Sequence, residues 1–157
     1  MGIGKRDEIT VIASGKVAMG FDMVEKLALG ADMCNAARPF MFSVGCIQAL
    51  RCHTNTCPTG VTTQNPARSR SLDVDTKAER VHNYHKATIA SFMDIVGTQG
   101  LDSPDELGPQ HIFRRSLKGP SRPCTSLHPT IEAGAFLRNE VPEEYAEAWQ
   151  LARADHF

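Results

Sequence analysis

The order of apolar segments near the start of the chain constrains its fold more than any other feature. Residues 9–13 (ITVIA) are apolar and β-branched and lead into Ser14-Gly15-Lys16, which predicts a buried strand ending in a glycine turn. Apolar residues then recur at helical spacing over 21–29, Gly30 ends the helix, and 31–36 predicts a second strand. A helix after this strand completes a β-α-β-α order, which is typical of a parallel α/β sheet.

Two strands are too few to make a stable sheet on their own. We therefore expect further strands upstream, in a longer chain or another subunit, and exposed apolar surface on the amino-terminal side of this unit. The helix after the second strand is predicted over 40–50, despite Gly45, and a loop over 52–72. A long helix capped by Asp75 or Thr76 follows. Its predicted apolar face consists of Val81, Tyr84, Thr88, Phe92 and Ile95.

The remaining segments predict a mostly helical tail. Ser103-Pro104 is typical of a helix start, and a last helix is predicted from Pro142 toward Phe157. Tyr145 and Trp149, four residues apart, are expected to pack on this last helix, while His82 and His85 are interpreted as surface residues of the long helix.

Charge and hydropathy exclude several classes of protein. The chain has 17 Lys and Arg against 18 Asp and Glu, and no long run of one sign, so we expect no nucleic-acid partner. No apolar stretch approaches the roughly 20 residues that a membrane span needs, so no membrane partner is expected. The first residues contain basic side chains without an apolar signal core, which favours a cytoplasmic location.

Polar residues follow both predicted strands. Ser14-Gly15-Lys16 follows the first and Ala37-Arg38 the second. In parallel α/β structures ligands lie at the carboxyl ends of strands, where main-chain N–H groups and cations can hold a phosphate. The alternative is a plain strand-to-helix turn with solvated basic residues, and Ser-Gly-Lys alone favours that alternative.

Cys46, Cys52 and Cys57 lie within twelve residues, and Pro58 follows the last of them. The odd total of five cysteines argues against a disulfide framework. Thiolates suit iron–sulfur clusters or zinc, and iron–sulfur runs often end in Cys-Pro. Zinc would need a fourth ligand, for which His53 is the local candidate. Three buried or unpaired cysteines are the other alternative, while Cys34 and Cys124 are interpreted as a core residue and an incidental one.

These motifs, in this order and spacing, make residues 9–98 closely resemble the FMN-binding domain of glutamate synthases. The run around the cysteines is the most specific part. Pro39 stands where many relatives have glycine, so it offers no N–H to a ligand. The matching segments are 12–17 (IASGKV), 20–22 (GFD), 29–32 (LGAD), 34–38 (CNAAR), 42–48 (FSVGCIQ), 57–64 (CPTGVTTQ) and 75–81 (DTKAERV).

The resemblance implies the carboxy-terminal portion of a (β/α)8 TIM barrel: its last two β/α units, then a cysteine loop and a helical tail. It implies FMN, with the phosphate loops after strands seven and eight at Ser14, Gly15, Lys16, Ala37 and Arg38. It also implies a [3Fe-4S] cluster held by Cys46, Cys52 and Cys57. We expect one unit at 1–72, with these loops, and a helical region of the same domain at 73–157.

The function implied is that of a fragment of a glutamate-synthase-type oxidoreductase. Such an enzyme passes electrons through the cluster and FMN to reductive amination of 2-oxoglutarate, giving glutamate. No catalytic residue is assigned, and we expect the chain to be inactive alone. Expected partners are the rest of the barrel or other glutamate synthase subunits, and an electron-donor protein or pyridine-nucleotide subunit. The alternatives are a small metal- or cluster-binding structural subunit that completes a barrel from another chain, and a truncated, non-functional product.

Overall fold

The computed structural model describes residues 2–128, 130–153 and 155. Its amino-terminal part consists of β1 (Ile12–Ser14), α1 (Gly20–Ala28), β2 (Met33–Asn35) and α2 (Arg38–Val44). The two strands pair in parallel, as predicted, with Ile12 opposite Met33 and Ser14 opposite Asn35. The fold of the described residues is therefore mixed α/β.

β1 begins three residues later than predicted, because the chain before it is held by contacts with Asp32, the residue that precedes β2. The main-chain N–H of Val11 donates to the Asp32 carboxylate over 2.7 Å, and Arg6 forms an ion pair with the same carboxylate at 2.8 Å. Residues Arg6–Glu8 form a single 3-10 turn, so regular pairing starts only at Ile12.

The rest of the described chain is largely helical, with one short antiparallel hairpin. It contains α3 (Pro66–Ser69), α4 (Val74–Thr98), β3 (Phe113–Arg114), β4 (Arg122–Pro123), α5 (Cys124–Leu127) and α6 (Glu143–Leu151). Further 3-10 turns lie at Cys52–Thr54, Pro104–Glu106, Pro109–His111 and Ala135–Arg138. No helix among the described residues is both long enough and apolar enough to cross a membrane.

The core lies between α1 and α4. Gly20 permits this contact because a Cβ there would overlap the backbone of α4 at Phe92. The tail closes the same core with Ile112 and Cys124. The core cluster consists of Val24, Ala28, Phe92, Val96, Ile112 and Cys124.

The second helix is shorter than predicted. α2 ends at Val44, because Gly45 adopts a φ of 122° and the Cys46 N–H returns to the Met41 carbonyl over 2.9 Å. This is the hydrogen bond of a Schellman-type helix end, which satisfies a carbonyl of the last turn. The expectation that the helix continues to Leu50 is therefore wrong.

The long helix α4 has the predicted face but a different cap. Asp73, rather than Asp75 or Thr76, caps it, since its carboxylate accepts the Thr76 N–H over 3.0 Å. Phe92 is buried, and the other residues of the predicted face are half-buried, as expected for a helix that covers a core along one side. The Tyr84 hydroxyl donates to the Ala18 carbonyl over 2.7 Å, which joins α4 to the loop after β1.

The tail has less helix than predicted. Ser103 caps only the 3-10 turn Pro104–Glu106, because Pro109 has no N–H with which to continue a helix. α6 ends at Leu151, and the predicted extension to Phe157 lies outside the described residues. The division at 72/73 stays a prediction.

One face of the β1–β2 pair is exposed. Ile12 is 52% and Met33 56% exposed, while Ala13 and Cys34, which point the other way, are half-buried. Ile9 and Val11, just before β1, are also exposed. This confirms the expected apolar surface on the amino-terminal side of the unit.

Candidate functional site

The carboxyl ends of β1 and β2 lie side by side. Ser14 is paired with Asn35 at the last position of the ladder, so the segments that follow the two strands leave from the same edge. Both side chains are on the exposed face of the pair. The exposed face is thus apolar at Ile12 and Met33 and polar at the carboxyl end.

The turn after β1 has an open, left-handed backbone. Gly15 has a φ of 92° and Lys16 a φ of 57°, and nothing lies within 4 Å of a Cβ built on Gly15. Ser14, Gly15 and Lys16 are all exposed. Main-chain groups, a hydroxyl and a cation are therefore accessible together at this turn.

The segment after β2 adds a second cation at this edge. Ala37 precedes α2 and Arg38 is its first residue, and both are exposed. Within the described ranges, neither Lys16 nor Arg38 takes part in an ion pair. Two unpaired cations and a hydroxyl at one edge have the chemistry to bind an anion such as a phosphate. The role of these five residues stays a prediction.

The three clustered cysteines follow α2 and have different environments. Cys46 is half-buried just after the helix end, and its Sγ accepts the Gln48 N–H over 3.4 Å. Cys52 is exposed at the start of a 3-10 turn. Cys57 is 8% exposed.

Cys57 has the surroundings of a thiolate. A hydrogen bond from the Thr59 hydroxyl, then hydrogen bonds from the N–H and the hydroxyl of Thr62, lower the pKa of its thiol to about 6. Thr62 Oγ1 is also buried, beside this thiol.

Hydrogen bonds between near neighbours hold the chain around Cys57. Asn55, in a left-handed conformation with φ 60°, accepts the Gln64 N–H over 2.7 Å and the Thr63 hydroxyl over 2.8 Å. Gly60 lies against the carbonyl of Arg68 so closely that a Cβ would overlap it. These contacts close the loop between Asn55 and α3.

The donor atoms fit metal or cluster binding in kind, but not in arrangement. Over residues 2–128, 130–153 and 155, no three His, Cys, Asp or Glu side chains are grouped so as to hold a metal ion. The side chains of Cys46, Cys52 and Cys57, which a shared [3Fe-4S] cluster would hold together, therefore do not form such a group. Their role as ligands stays a prediction, as does that of His53, which is exposed.

Sequence reasoning missed two features near these cysteines. A cavity of about 420 Å3 beside Cys46 is also lined by Thr59, Lys77 and Arg80. The second feature is the pair of threonines around Cys57. The signals were present in the segments 57–64 (CPTGVTTQ) and 75–81 (DTKAERV), but periodicity does not reveal which side chains a loop brings together.

Cys34 and Cys124, the two cysteines outside the cluster of three, are packed into the fold. Cys34 is half-buried on β2, and burial raises the pKa of its thiol. Cys124 is 6% exposed in the core cluster, so its interpretation as incidental is wrong.

Tyr145 and Trp149 pack on Phe136, with ring centroids at 5.9 and 5.1 Å, as expected for packing residues. His82 and His85 are both exposed on α4, as predicted.

Comparison with known proteins identifies one family. The family described as the conserved region in glutamate synthase matches residues 1–102. The chain is 41% identical over 116 residues to the glutamate synthase large subunit-like protein YerD of Bacillus subtilis (strain 168), which covers 74% of this chain and 22% of that protein.

More distant relatives have related names. The archaeal glutamate synthase (NADPH) of Methanocaldococcus jannaschii is 36% identical over 66% of this chain and 20% of its own length. The glutamate synthase (NADH) of Saccharomyces cerevisiae is 30% identical over 90% of this chain and 7% of its own length. The chain thus spans about a fifth of the first two of these relatives.

Proposed function

This chain belongs to the glutamate synthase family, and we propose that it forms the carboxy-terminal portion of a (β/α)8 TIM barrel. The observation that carries the proposal is the parallel pair β1–β2 with its exposed face, apolar at Ile12 and Met33 and polar at Ser14 and Asn35. A barrel interior is filled by apolar side chains, and its active site lies at the carboxyl ends of the strands. The exposed face of β1–β2 is likewise apolar along the strands and polar at their carboxyl ends.

Within that barrel, we propose that the strand ends hold the phosphate of FMN. The open left-handed turn at Ser14, Gly15 and Lys16 would offer main-chain and hydroxyl groups, with Ala37 and Arg38 beside it. Lys16 and Arg38 would neutralise the phosphate charge. Pro39 contributes no N–H, so the second loop would act through Arg38 and the backbone before it.

We also propose that Cys46, Cys52 and Cys57 ligate a [3Fe-4S] cluster. The lowered pKa of Cys57 supports this, because a metal ligand must be a thiolate. When bound, the cluster and FMN supply the electrons that reduce 2-iminoglutarate, made from 2-oxoglutarate and glutamine-derived ammonia, to glutamate.

The chain alone is proposed to bind the FMN phosphate and the cluster but not to catalyse the reaction. It contains two of the eight β/α units that such a barrel needs around the flavin ring, so the other units and the electron donor must come from elsewhere in the enzyme. The proposed location is the cytoplasm. The competing function is a small metal- or cluster-binding structural subunit that completes a barrel from another chain, and retention of zinc in place of an iron–sulfur cluster would favour it.

Titration of FMN against the 157-residue chain tests the phosphate site. We expect weak binding with an unshifted flavin spectrum, no binding of riboflavin, which has no phosphate, and loss of FMN binding in Lys16→Ala/Arg38→Ala. Lys86→Ala, on the exposed side of α4, is the matched control. Tight binding with a perturbed spectrum would contradict the proposal, because it would require a complete ring pocket.

Anaerobic reconstitution with iron and sulfide tests the cysteines. We expect broad visible absorption that is abolished by Cys46→Ser, Cys52→Ser or Cys57→Ser and retained by Cys34→Ser and Cys124→Ser. Circular dichroism checks that each variant folds, which matters most for buried Cys124. A colourless protein that retains one zinc ion would favour the structural subunit instead.

A further inference from the structure

The hairpin of β3 and β4 concentrates positive charge in a chain of net charge −1. Arg114, Arg115, Lys118 and Arg122 lie within nine residues. No acidic residue occurs in the sequence between Glu106 and Glu132. The hairpin is therefore a local cationic patch that the overall charge balance hides.

The strand register places two of these cations directly opposite each other. Arg114 pairs with Arg122 in the antiparallel ladder. Like charges at directly opposed positions destabilise a pair of strands. The fold keeps this repulsion in a ladder of only two residue pairs, where an anion between the two guanidinium groups would offset it.

Carboxylates neutralise arginines elsewhere in the molecule but not here. Arg6 is paired with Asp32 at 2.8 Å, and Arg138 with Glu140 at 2.7 Å. Among the residues that the structure describes, no cation of the hairpin takes part in an ion pair. Their guanidinium and ammonium groups are free to bind a ligand.

The hairpin also lines a solvent-open cavity with room for a ligand. A cavity of about 660 Å3 is lined by residues 114–120 together with Arg122 and Leu127. This lies in the size range of small-molecule sites. The Ser116 hydroxyl accepts the Lys118 N–H over 3.3 Å and can still donate to a ligand. Cations with a hydroxyl donor form a suitable lining for phosphate oxygens, which arginine binds in a bidentate manner.

We propose that the β3–β4 hairpin binds a small phosphate-bearing molecule with two or more negative charges, such as pyrophosphate or the diphosphate of a nucleotide. A small ligand fits better than a long polyanion, because the cations are confined to one cavity in a chain of slightly negative net charge. The site lies outside residues 1–102, which match the conserved region in glutamate synthase. The proposal rests on none of the residues that carry the proposed function.

Isothermal titration calorimetry of the 157-residue chain at low ionic strength, with pyrophosphate, ADP and adenosine, tests the proposal. We expect pyrophosphate and ADP to bind and adenosine not to bind. Equal affinities for pyrophosphate and ADP would show that the phosphates alone determine binding. Tighter binding of ADP would show that the ligand is a nucleotide. Either result supports the site, whereas binding of adenosine alone would overturn it.

Variants locate the binding. Arg114→Gln/Arg122→Gln should weaken pyrophosphate binding about a hundredfold, about tenfold for each charge-assisted hydrogen bond lost. Lys86→Gln should leave it unchanged. Because the edge proposed for FMN would also attract pyrophosphate, the titrations are repeated in the Lys16→Gln/Arg38→Gln background, where the binding that remains belongs to the hairpin. Unchanged binding in Arg114→Gln/Arg122→Gln would overturn the proposal.

Thermal unfolding gives a second readout. Without ligand, Arg122→Gln should raise the Tm slightly because the repulsion with Arg114 is removed, and pyrophosphate should raise the Tm of the parent chain only. If the double variant does not fold, Arg115→Gln/Lys118→Gln in the connecting loop serves in its place. Tighter binding of a single-stranded RNA, growing with its length, would overturn the small-ligand proposal, as would salt-sensitive dimerisation through the hairpin.

Discussion

The packing of α1 on α4 and the cysteine segment, residues 46–65, are stabilised in different ways. The first buries apolar side chains brought together from distant parts of the sequence, including Phe92 and Cys124. In the cysteine segment only Cys57 and Gly60 are buried, while Ile47 is 65% and Leu50 82% exposed. Hydrogen bonds centred on Asn55 hold that segment instead. The difference shows that hydrophobic burial fixes the helices, and that local polar contacts shape the loop.

The largest expected effect is the loss of a core ring. Phe92→Ala should lower the free energy of unfolding by about 3–5 kcal/mol, since a buried aromatic side chain leaves a cavity. Leu50→Ala, in the cysteine segment, should change it by less than about 0.5 kcal/mol because its side chain is exposed. Urea denaturation measures both. Similar losses in the two variants would break the comparison.

Two glycines should respond in opposite directions. Gly20→Ala should destabilise the chain by about 1–3 kcal/mol, because the added Cβ overlaps the backbone of α4. Gly97→Ala, inside α4 with nothing within 4 Å of its Cβ position, should stabilise it by about 0.5–1 kcal/mol. Thermal unfolding of the two variants tests the sign. A neutral Gly20→Ala would show that α1 and α4 can separate without loss.

The cap of α4 should have a smaller effect. Asp73→Ala should lower the free energy of unfolding by about 1 kcal/mol, since the Thr76 N–H loses its acceptor. Asp73→Asn retains an acceptor and should cost much less. Chemical denaturation followed by circular dichroism distinguishes them. Equal losses in both would assign the effect to charge near the helix terminus rather than to the hydrogen bond.

The smallest effect concerns the ion pair before β2. A hydrogen bond from Arg6, then one from the Val11 N–H, holds the pKa of Asp32 below its usual value. The ionised Asp32 carboxylate therefore stabilises the folded state. This contribution is fully present above about pH 3.9 and is lost as the pH falls through the lowered pKa that Asp32 has in the folded state. Asp32→Asn should flatten the pH dependence of the Tm in that acid range and leave its slope near neutral pH unchanged. A parallel acid slope in both proteins would contradict this.

The parallel unit was predictable because each of its signals is local. Apolar runs, helical spacing and glycine positions give strand, helix and strand in order, and parallel pairing then brings Ser14 and Asn35 to one edge. The end of α2 was not predicted, because Gly45 was treated as tolerated within the helix, whereas its positive φ ends it.

Features that depend on distant contacts escaped sequence reasoning. Cys124 is buried in the core only because its segment folds back onto α1 and α4. The three clustered cysteines were predictable as a set of donors, since their density is visible in the sequence. Their arrangement was not, because the loop between them has no periodicity and is shaped by the individual hydrogen bonds of Asn55 and Thr59.

The long helix α4 sets the spacing between the loop after β1 and helix α2. Its 25 residues span about 37 Å. Tyr84 bonds to the loop after β1 at Ala18, and Arg80, about one turn earlier, donates to the Phe42 carbonyl of α2 over 3.5 Å. Deleting one residue between Arg80 and Tyr84 would turn the two side chains about 100° relative to each other. The spacing between the turn after β1 and the start of the cysteine segment thus depends on the number of helical residues between Arg80 and Tyr84. Point substitutions on the outer face of α4 leave this spacing intact, whereas deletion of a single residue destroys it.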